Sequence, residues 1–237
     1  MEGKNKKVHF KQLGLIDYKD AWTLQKELFE SIIKIKLINM ELPPEDRMET
    51  ENYLLFCEHP HVYTLGKSGD PDNMLLDEDG LKKHGASFIP IDRGGDITYH
   101  GPGQIVGYPI VDLDNFTNDI HKYLRFLEEA IILTLSDFGI EGGRIKGLTG
   151  VWLDHRQIKN PRKICAIGVR TSRWVTMHGF AFNLDPNLSY YDNIIPCGIH
   201  DKSVTSLRKE LGRQVPHEEV ESLIKAHMTE VFEMEYV

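Results

Sequence analysis

The segment "RGGDITYHGPGQIVGYPI", from Arg93 to Ile110, constrains the fold of this chain more than any other stretch. It carries five glycines and two prolines, and it lies between runs of residues that resemble core strands. Glycine loses more backbone freedom on folding than any other residue, so a loop this rich in glycine is costly. Two interpretations stay open from spacing alone. The loop is either an elaborate structural hairpin or a lining whose bare backbone lets a narrow ligand lie against it.

The usual phosphate-binding loops are absent from the sequence. It contains no G-x-x-x-x-G-K-[ST] segment, and no G-x-G-x-x-G segment leads into a helix. Strand-like residues follow "GPGQ" (101–104), so we expect no phosphate site at a helix N-terminus here.

The composition is that of an ordinary globular protein. The chain has 237 residues, of which 41% are hydrophobic and 27% charged, enough apolar material for a sizeable core. Its 28 basic and 36 acidic residues give a formal charge of −8, which argues against broad, non-specific nucleic-acid binding. No linker composition divides the chain, so we expect one domain over residues 1–237.

Cysteine usage and hydropathy predict a cytoplasmic protein. No continuous apolar segment follows the basic start of the chain, and no run is long enough to cross a bilayer. The chain has three cysteines, an odd number without close pair spacing, which fits a reducing compartment better than a disulfide framework.

Apolar spacing predicts an α+β fold with a mixed, mainly antiparallel sheet and packed helices. Helices are expected at about 17–38, 117–138, 203–211 and 216–232, with Asp17 as an N-cap and Gly139 as a stop. Strand-like runs dominate the rest without regular strand–helix alternation, which disfavours a doubly wound parallel sheet. Pro109 predicts an edge or a bend for the strand that contains it.

Cys197, in "NIIPCGIHDKSVTSL", is the candidate nucleophile. It lies between a proline and a glycine, a bend that favours an exposed sulfur, and a predicted helix begins just downstream. A thiol near a helix N-terminus or a cation has a lowered pKa and a larger thiolate fraction. The alternative is a small buried residue in a turn. Cys57 and Cys165 lie inside apolar runs, so we expect them to be buried.

Other chemistries have weaker support. Histidines such as His59 and His61 in "EHPH" form no recognised ligand motif, so we expect no metal site, and no G-x-S-x-G elbow is present. Lys163 opens the apolar run "KICAIGVR", where a partly buried amine can change its protonation state. Lys146, in a glycine-rich stretch, is an alternative to it.

Several motifs together resemble the lipoyl(octanoyl) transferases, the octanoyltransferases of lipoate biosynthesis that are also called lipoate-protein ligase B. The resemblance runs from about Leu13 to Thr205 with the motifs in the family's order. The motifs are "GLIDYKDAWTLQKEL", "EHPHVYTLGKSG", "RGGDITYHGPGQIVGYPI", "GVWLD", "RKICAIGVR", "MHGFAFNLDPNL" and "IIPCGI".

The resemblance implies a catalytic domain of the biotin/lipoate protein ligase type. The implied reaction moves an octanoyl group from acyl carrier protein to a lysine of a lipoyl domain, without a cofactor or ATP. Its acceptors would be the lipoyl domains of 2-oxoacid dehydrogenases and the glycine cleavage H protein, with no nucleic acid or membrane as partner. An ATP-dependent lipoate or biotin ligase on the same fold is the alternative, and a non-catalytic acyl-binding protein is another.

Carried over to this sequence, the family pattern implies that Cys197 accepts the acyl group and that Lys163 activates it. The implied substrate-binding residues lie on three segments. They are Arg93, Gly94, Gly95, Asp96, Ile97, Thr98, Tyr99 and His100 on the first, Ala166, Ile167 and Gly168 on the second, and Gly179, Phe180 and Ala181 on the third. Asp96, Ala166 and Trp174 depart from the family's commonest pattern.

Acyl carrier proteins and lipoyl domains tend to be acidic, so an acidic protein that binds them needs a locally basic face. Clustering along the sequence suggests its members. They are Lys159, Arg162, Arg170, Arg173, Lys202 and Arg208.

Overall fold

The computed structural model describes residues 4–156, 160–195 and 203–237. In this part of the chain the strands are β1 (Lys7–Leu15), β2 (Tyr53–Glu58), β3 (Val62–Leu65), β4 (Ser87–Pro90), β5 (Ile97–His100), β6 (Gln104–Ile110), β7 (Gly143–Ile145), β8 (Leu148–Leu153), β9 (Arg162–Ser172), β10 (Val175–Asn183), β11 (Ser203–Val204) and β12 (Glu235–Tyr236). The α-helices are α1 (Tyr18–Met40), α2 (Glu78–Lys83), α3 (Ile120–Asp137), α4 (Leu207–Leu211) and α5 (His217–Phe232).

A large mixed sheet forms the centre of the fold. Its order is β12-β1-β2-β6-β10-β9-β8-β7, and β11 pairs with β9 off this path. The pairs β1–β2, β1–β12 and β9–β11 are parallel, and the other pairs are antiparallel. The predicted α+β class with a mixed, mainly antiparallel sheet is confirmed.

Helices cover both faces of this sheet. Side chains alternate across a strand, so β6 directs Ile105 to one face and Val106 to the other. The first face packs against α3 and α5, and it contains the larger apolar core. The second face packs against α1, with Phe29 and Ile32 of the helix buried there. No helix among the described residues is both long and apolar enough to cross a membrane.

A second, three-stranded sheet with the order β4-β3-β5 positions the glycine loop. The loop connects β4 to β5, and β5 pairs with β3 rather than with the following β6. The stretch 93–110 is therefore not a hairpin, because β5 belongs to the small sheet and β6 to the large sheet. Gly94 N–H donates to Val169 O at 3.0 Å, which ties the loop to β9 of the large sheet.

Local sequence signals explain most element boundaries. The Asp17 carboxylate accepts from Lys19 N–H at 2.8 Å and caps α1 as predicted. Gly139, with φ of 71°, follows the end of α3. The helix expected at 203–211 is shorter, because Ser203–Val204 pair as β11 and α4 begins only at Leu207.

The prediction that Pro109 marks an edge or bend is wrong about the sheet position, because β6 lies between β2 and β10. The proline fits there because the regular β6–β10 ladder ends at the Gly107–Phe180 pair. Pro109 lies beyond that pair, where the Thr176 hydroxyl of β10 donates to Pro109 O at 2.9 Å.

Candidate active site

A cavity of about 540 Å³ lies between the large sheet and the glycine loop. Among the residues named as candidates from the sequence, the following line it: Lys163, Arg93, Gly94, Gly95, Asp96, Ile97, Thr98, His100, Ala166, Ile167, Gly168, Gly179, Phe180 and Ala181. Residues far apart in the sequence are therefore brought to one cavity by β5, β9 and β10.

Tyr99 is the candidate substrate-binding residue that does not line the cavity. It is fully buried in the core of the small sheet, and its hydroxyl lies 2.7 Å from His61 Nδ1. Its neighbours Thr98 and His100 line the cavity, as the alternation of side chains along β5 requires. Burial among other tyrosines raises the pKa of Tyr99.

The glycine loop forms the roof of the cavity, and hydrogen bonds to its backbone carbonyls hold it in place. Three N–H groups of the 66–68 segment donate to Asp96 O (3.3 Å), Arg93 O (2.9 Å) and Gly95 O (3.2 Å). The Arg93 guanidinium folds back and donates to Gly94 O and Asp96 O, each at 2.8 Å. Gly95 has a φ of 89°, in the region that glycine adopts most easily.

Small residues form the floor. Ala181 of β10 lies between Ala166 of β9 and Val106 of β6. Two residues further along each strand, Gly179 lies opposite Gly168. A side chain at Gly168 would meet Arg93 Cδ at 2.6 Å, so this glycine leaves the space that Arg93 occupies.

The cavity has an open end and a closed end. Gly147 and Ser203 at one end are exposed, and Lys163 beside them is half-buried. At the other end, Tyr18, Tyr108 and His178 are at most 3% exposed. A ligand would therefore enter near Lys163 and extend toward the buried aromatic residues.

Lys163 lies against an aromatic ring at the open end of the cavity. Its Nζ lies 4.6 Å from the ring centroid of Trp152, which β8 places against β9. An aromatic face attracts an ammonium group. The rival lysine, Lys146, is exposed in the β7–β8 turn, and it is the neighbouring Gly147 that lines the cavity.

Cys197 lies outside the described residues. The residues that flank its segment are described: Ile195 N–H donates to Asn73 O at 2.9 Å, and Ser203 pairs with Arg162 beside Lys163. Asn73 Nδ2 in turn donates to the Asp96 carboxylate of the roof at 2.8 Å. Cys57 and Cys165 are buried, as expected, and burial raises the pKa of both thiols.

Sequence reasoning missed a half-buried polar cluster beside the roof. His178 Nε2 lies 2.9 Å from Asp92 Oδ1, and Arg170 forms an ion pair with the same carboxylate. The hydrogen bond from His178 lowers the pKa of Asp92 to about 2, and burial lowers the pKa of His178. The motif "MHG" gave one signal, because a histidine directly precedes a glycine there. In the structure this histidine, His178, has a φ of 60°.

The expected basic face is largely neutralised in the described part of the chain. Arg162 pairs with Asp154 and Glu210, and Arg208 pairs with Asp185. Arg170 pairs with Asp92. Lys159 and Lys202 lie outside the described residues. Clustering along the sequence could not reveal this, because the carboxylates come from other elements.

Solved structures with this architecture define the class of fold. A bipartite lipoate protein ligase from Thermoplasma acidophilum is 16% identical, with a TM-score of 0.67 over 100% of this chain and 86% of that one. A lipoate-protein ligase A bound with ATP is 17% identical, with a TM-score of 0.65 over 100% and 88% of the two chains. At such identities the likeness shows the fold alone: a catalytic domain of the biotin/lipoate protein ligase type.

The sequence comparisons then place the chain within this class. The lipoyl protein ligase A/B catalytic domain matches residues 17–229, and the chain belongs to this family. An octanoyltransferase of Flavobacterium johnsoniae is 59% identical over 98% of this chain and 100% of that protein. An octanoyltransferase of Cytophaga hutchinsonii is 56% identical over 97% and 94%. These names agree with the family to which the motifs were compared.

Proposed function

We propose that this protein is an octanoyltransferase of protein lipoylation. It takes an octanoyl group from acyl carrier protein and delivers it to a lysine of lipoyl domains. The acceptors are those of 2-oxoacid dehydrogenases and the glycine cleavage H protein. The observation that carries the proposal is the cavity: a pocket of about 540 Å³ with a floor of small residues, buried aromatic residues at one end and Lys163 at the other. Relatives over nearly the whole chain are named octanoyltransferase, which supports the same reaction.

The shape of the cavity suits an unbranched acyl chain. Its floor of Ala166, Ala181 and Val106 is apolar and shallow, and the roof presents backbone with few side chains. Each buried methylene contributes about 0.8 kcal/mol, so a saturated eight-carbon tail would be held firmly without a charged contact. The roles of the lining residues as substrate contacts are part of this proposal.

In the first half-reaction, Cys197 acts as a thiolate and attacks the carbonyl carbon of the carrier-bound thioester. The new C–S bond to Cys197 forms, and the C–S bond to the carrier thiol breaks. The carrier sulfur leaves as a thiolate and takes a proton from the Lys163 ammonium. One thioester replaces another, so the exchange is near thermoneutral and needs no ATP. A thiol of ordinary pKa is only a few per cent ionised at neutral pH, and a nearby ammonium corrects this.

In the second half-reaction, the amine of the acceptor lysine attacks the acyl-Cys197 thioester. Lys163, neutral after the first step, accepts the proton that the attacking nitrogen loses. The amide C–N bond forms, the C–S bond breaks, and Cys197 leaves as a thiolate. Lys163 is again an ammonium, so the proton balance closes over one cycle. Cys197 and Lys163 would titrate as a coupled pair.

Chain connectivity supports Cys197 as the nucleophile. Ile195, two positions earlier, is bonded to Asn73, which binds the roof residue Asp96. Val204, a few positions later, pairs with Lys163 itself.

Mass spectrometry after incubation with octanoyl-acyl carrier protein tests the proposal. We expect a mass increase of one octanoyl group on Cys197, absent in Cys197→Ala and slow to form in Lys163→Ala. Cys57 and Cys165 serve as internal controls because both are buried. Full transferase activity in Cys197→Ala would refute the mechanism. Adenylate formation from lipoate and ATP would instead identify the ligase activity of the same fold.

A further inference from the structure

The strand β9, which runs along the floor of the cavity, sets a length scale for the proposed substrate. From Lys163 to Gly168 the strand β9 advances five residues, or about 16 Å at about 3.3 Å per residue. A fully extended octanoyl chain is about 10 Å long, given C–C bonds near 1.5 Å. An octanoyl tail that begins near Lys163 and runs along β9 therefore extends toward the closed end, where Tyr108 and Gly168 line the cavity.

This closed end is polar, which a saturated tail does not require. Tyr108 lines it and is 3% exposed, and its hydroxyl lies 2.7 Å from Nε2 of the fully buried His59. Tyr18 also lines it, with its ring 5.0 Å from the ring of His59. An apolar end wall would bury a methyl group equally well, so the tyrosine hydroxyls call for another explanation.

The direction of the hydrogen bonds is fixed. His59 Nδ1 lies 2.8 Å from Ile16 O, which can only accept, so Nδ1 carries the proton. His59 Nε2 is then bare and accepts the Tyr108 O–H. Burial lowers the pKa of His59 to about 4, so the histidine stays neutral and keeps this arrangement. Hydrogen bonds from Tyr108 to His59 and from His59 to the Ile16 carbonyl therefore hold the Tyr108 ring in one position.

We propose that Tyr108, held by His59, is the stop that limits the acyl chain to about eight carbons. The inference rests on the proposed function and adds the residue that determines chain length. A longer chain must displace a tyrosine whose hydroxyl is bonded to a buried histidine, and the extra methylenes would then contact polar atoms. In an open apolar cavity each added methylene would instead strengthen binding about fourfold.

The test measures kcat/KM for hexanoyl, octanoyl, decanoyl and dodecanoyl groups on acyl carrier protein. The wild-type value should fall steeply beyond eight carbons. Tyr108→Leu shortens the side chain, and we expect its dodecanoyl-to-octanoyl ratio to rise at least tenfold. Tyr108→Phe removes only the hydroxyl and should raise the ratio about threefold to fivefold. The ratio is internal to each variant, so a partial loss of folded protein cancels.

Tyr123→Phe is the matched control. Tyr123 is a fully buried tyrosine on α3, outside the cavity lining, so its chain-length profile should equal that of the wild type. If the wild type transfers octanoyl groups and both Tyr108 variants keep the wild-type ratios, the inference is wrong and the proposed function stands. If the wild type transfers no octanoyl group, the proposed function fails and the inference with it.

Discussion

Gly66 supports the roof of the cavity from behind, and replacing it by alanine should damage substrate binding. The added methyl group would overlap the Gly95 carbonyl oxygen and lie 2.9 Å from Arg93 O. Both atoms are backbone, so no side-chain rotation relieves the clash. Ordinary contacts of this kind are 3.4–4 Å long, so the glycine loop has to move by at least 0.5 Å, the difference between 3.4 and 2.9 Å.

The cost follows from the bonds that hold the roof. The 66–68 segment donates three hydrogen bonds to the loop, and a shift weakens them together. With about 1 kcal/mol for each hydrogen bond and 1–3 kcal/mol for overpacking, unfolding should become easier by roughly 2–4 kcal/mol. For a chain of this size that lowers Tm by about 5–12 °C.

Thermal unfolding and octanoyl-transfer kinetics on Gly66→Ala test this reasoning. At a temperature where the variant is folded, kcat/KM should fall by about tenfold to a hundredfold, because the displaced loop narrows the cavity. Gly80→Ala is the control: Gly80 lies in α2, where alanine is favoured and the nearest contacts are at 3.2 Å. A Gly66→Ala protein with the wild-type Tm and transfer rate would refute the proposed role of the roof.

Three further predictions concern buried or half-buried groups. Trp152→Leu removes the aromatic ring that lies 4.6 Å from Lys163 Nζ and should slow octanoyl transfer by about twofold to fivefold, whereas an unchanged rate would contradict a role for the cation–π contact. Arg144→Met should lower the unfolding free energy by about 1–2 kcal/mol in urea titrations, because it removes the 2.8 Å contact to the fully buried Glu128 carboxylate while Arg125 keeps its own contact at 2.6 Å; an unchanged midpoint would show that the Arg144 pair adds nothing. The pKa of His59 falls from 6.5 to about 4 on folding, so between these pH values the unfolded chain binds a proton that the folded chain does not, and stability drops as the pH falls. His59→Gln should therefore flatten the pH dependence of the unfolding free energy between pH 6.5 and pH 4. A dependence as steep as that of the wild type would exclude His59 as its source.

Much of the fold could be predicted from local signals. The Asp17 cap and the apolar face of α1 depend on neighbours a few residues away, and so does the stop of α3 at Gly139. Pro109 misled because the tolerance of a proline in a strand depends on the partner strand. Only the register with β10, whose regular ladder with β6 ends at the Gly107–Phe180 pair, made room for a proline in this central strand.

For the site, the sequence alone predicted which segments line the cavity, because each motif specifies residue types at a fixed spacing. The tertiary structure decided which of these side chains meet. Thr98 lines the cavity while Tyr99 faces the small-sheet core, since alternate residues of a strand point to opposite sides. The pairing of Lys163 with Trp152, and of Tyr108 with His59, joins residues that lie far apart in the chain. Such contacts are set by strand order and register, which no short stretch of sequence specifies.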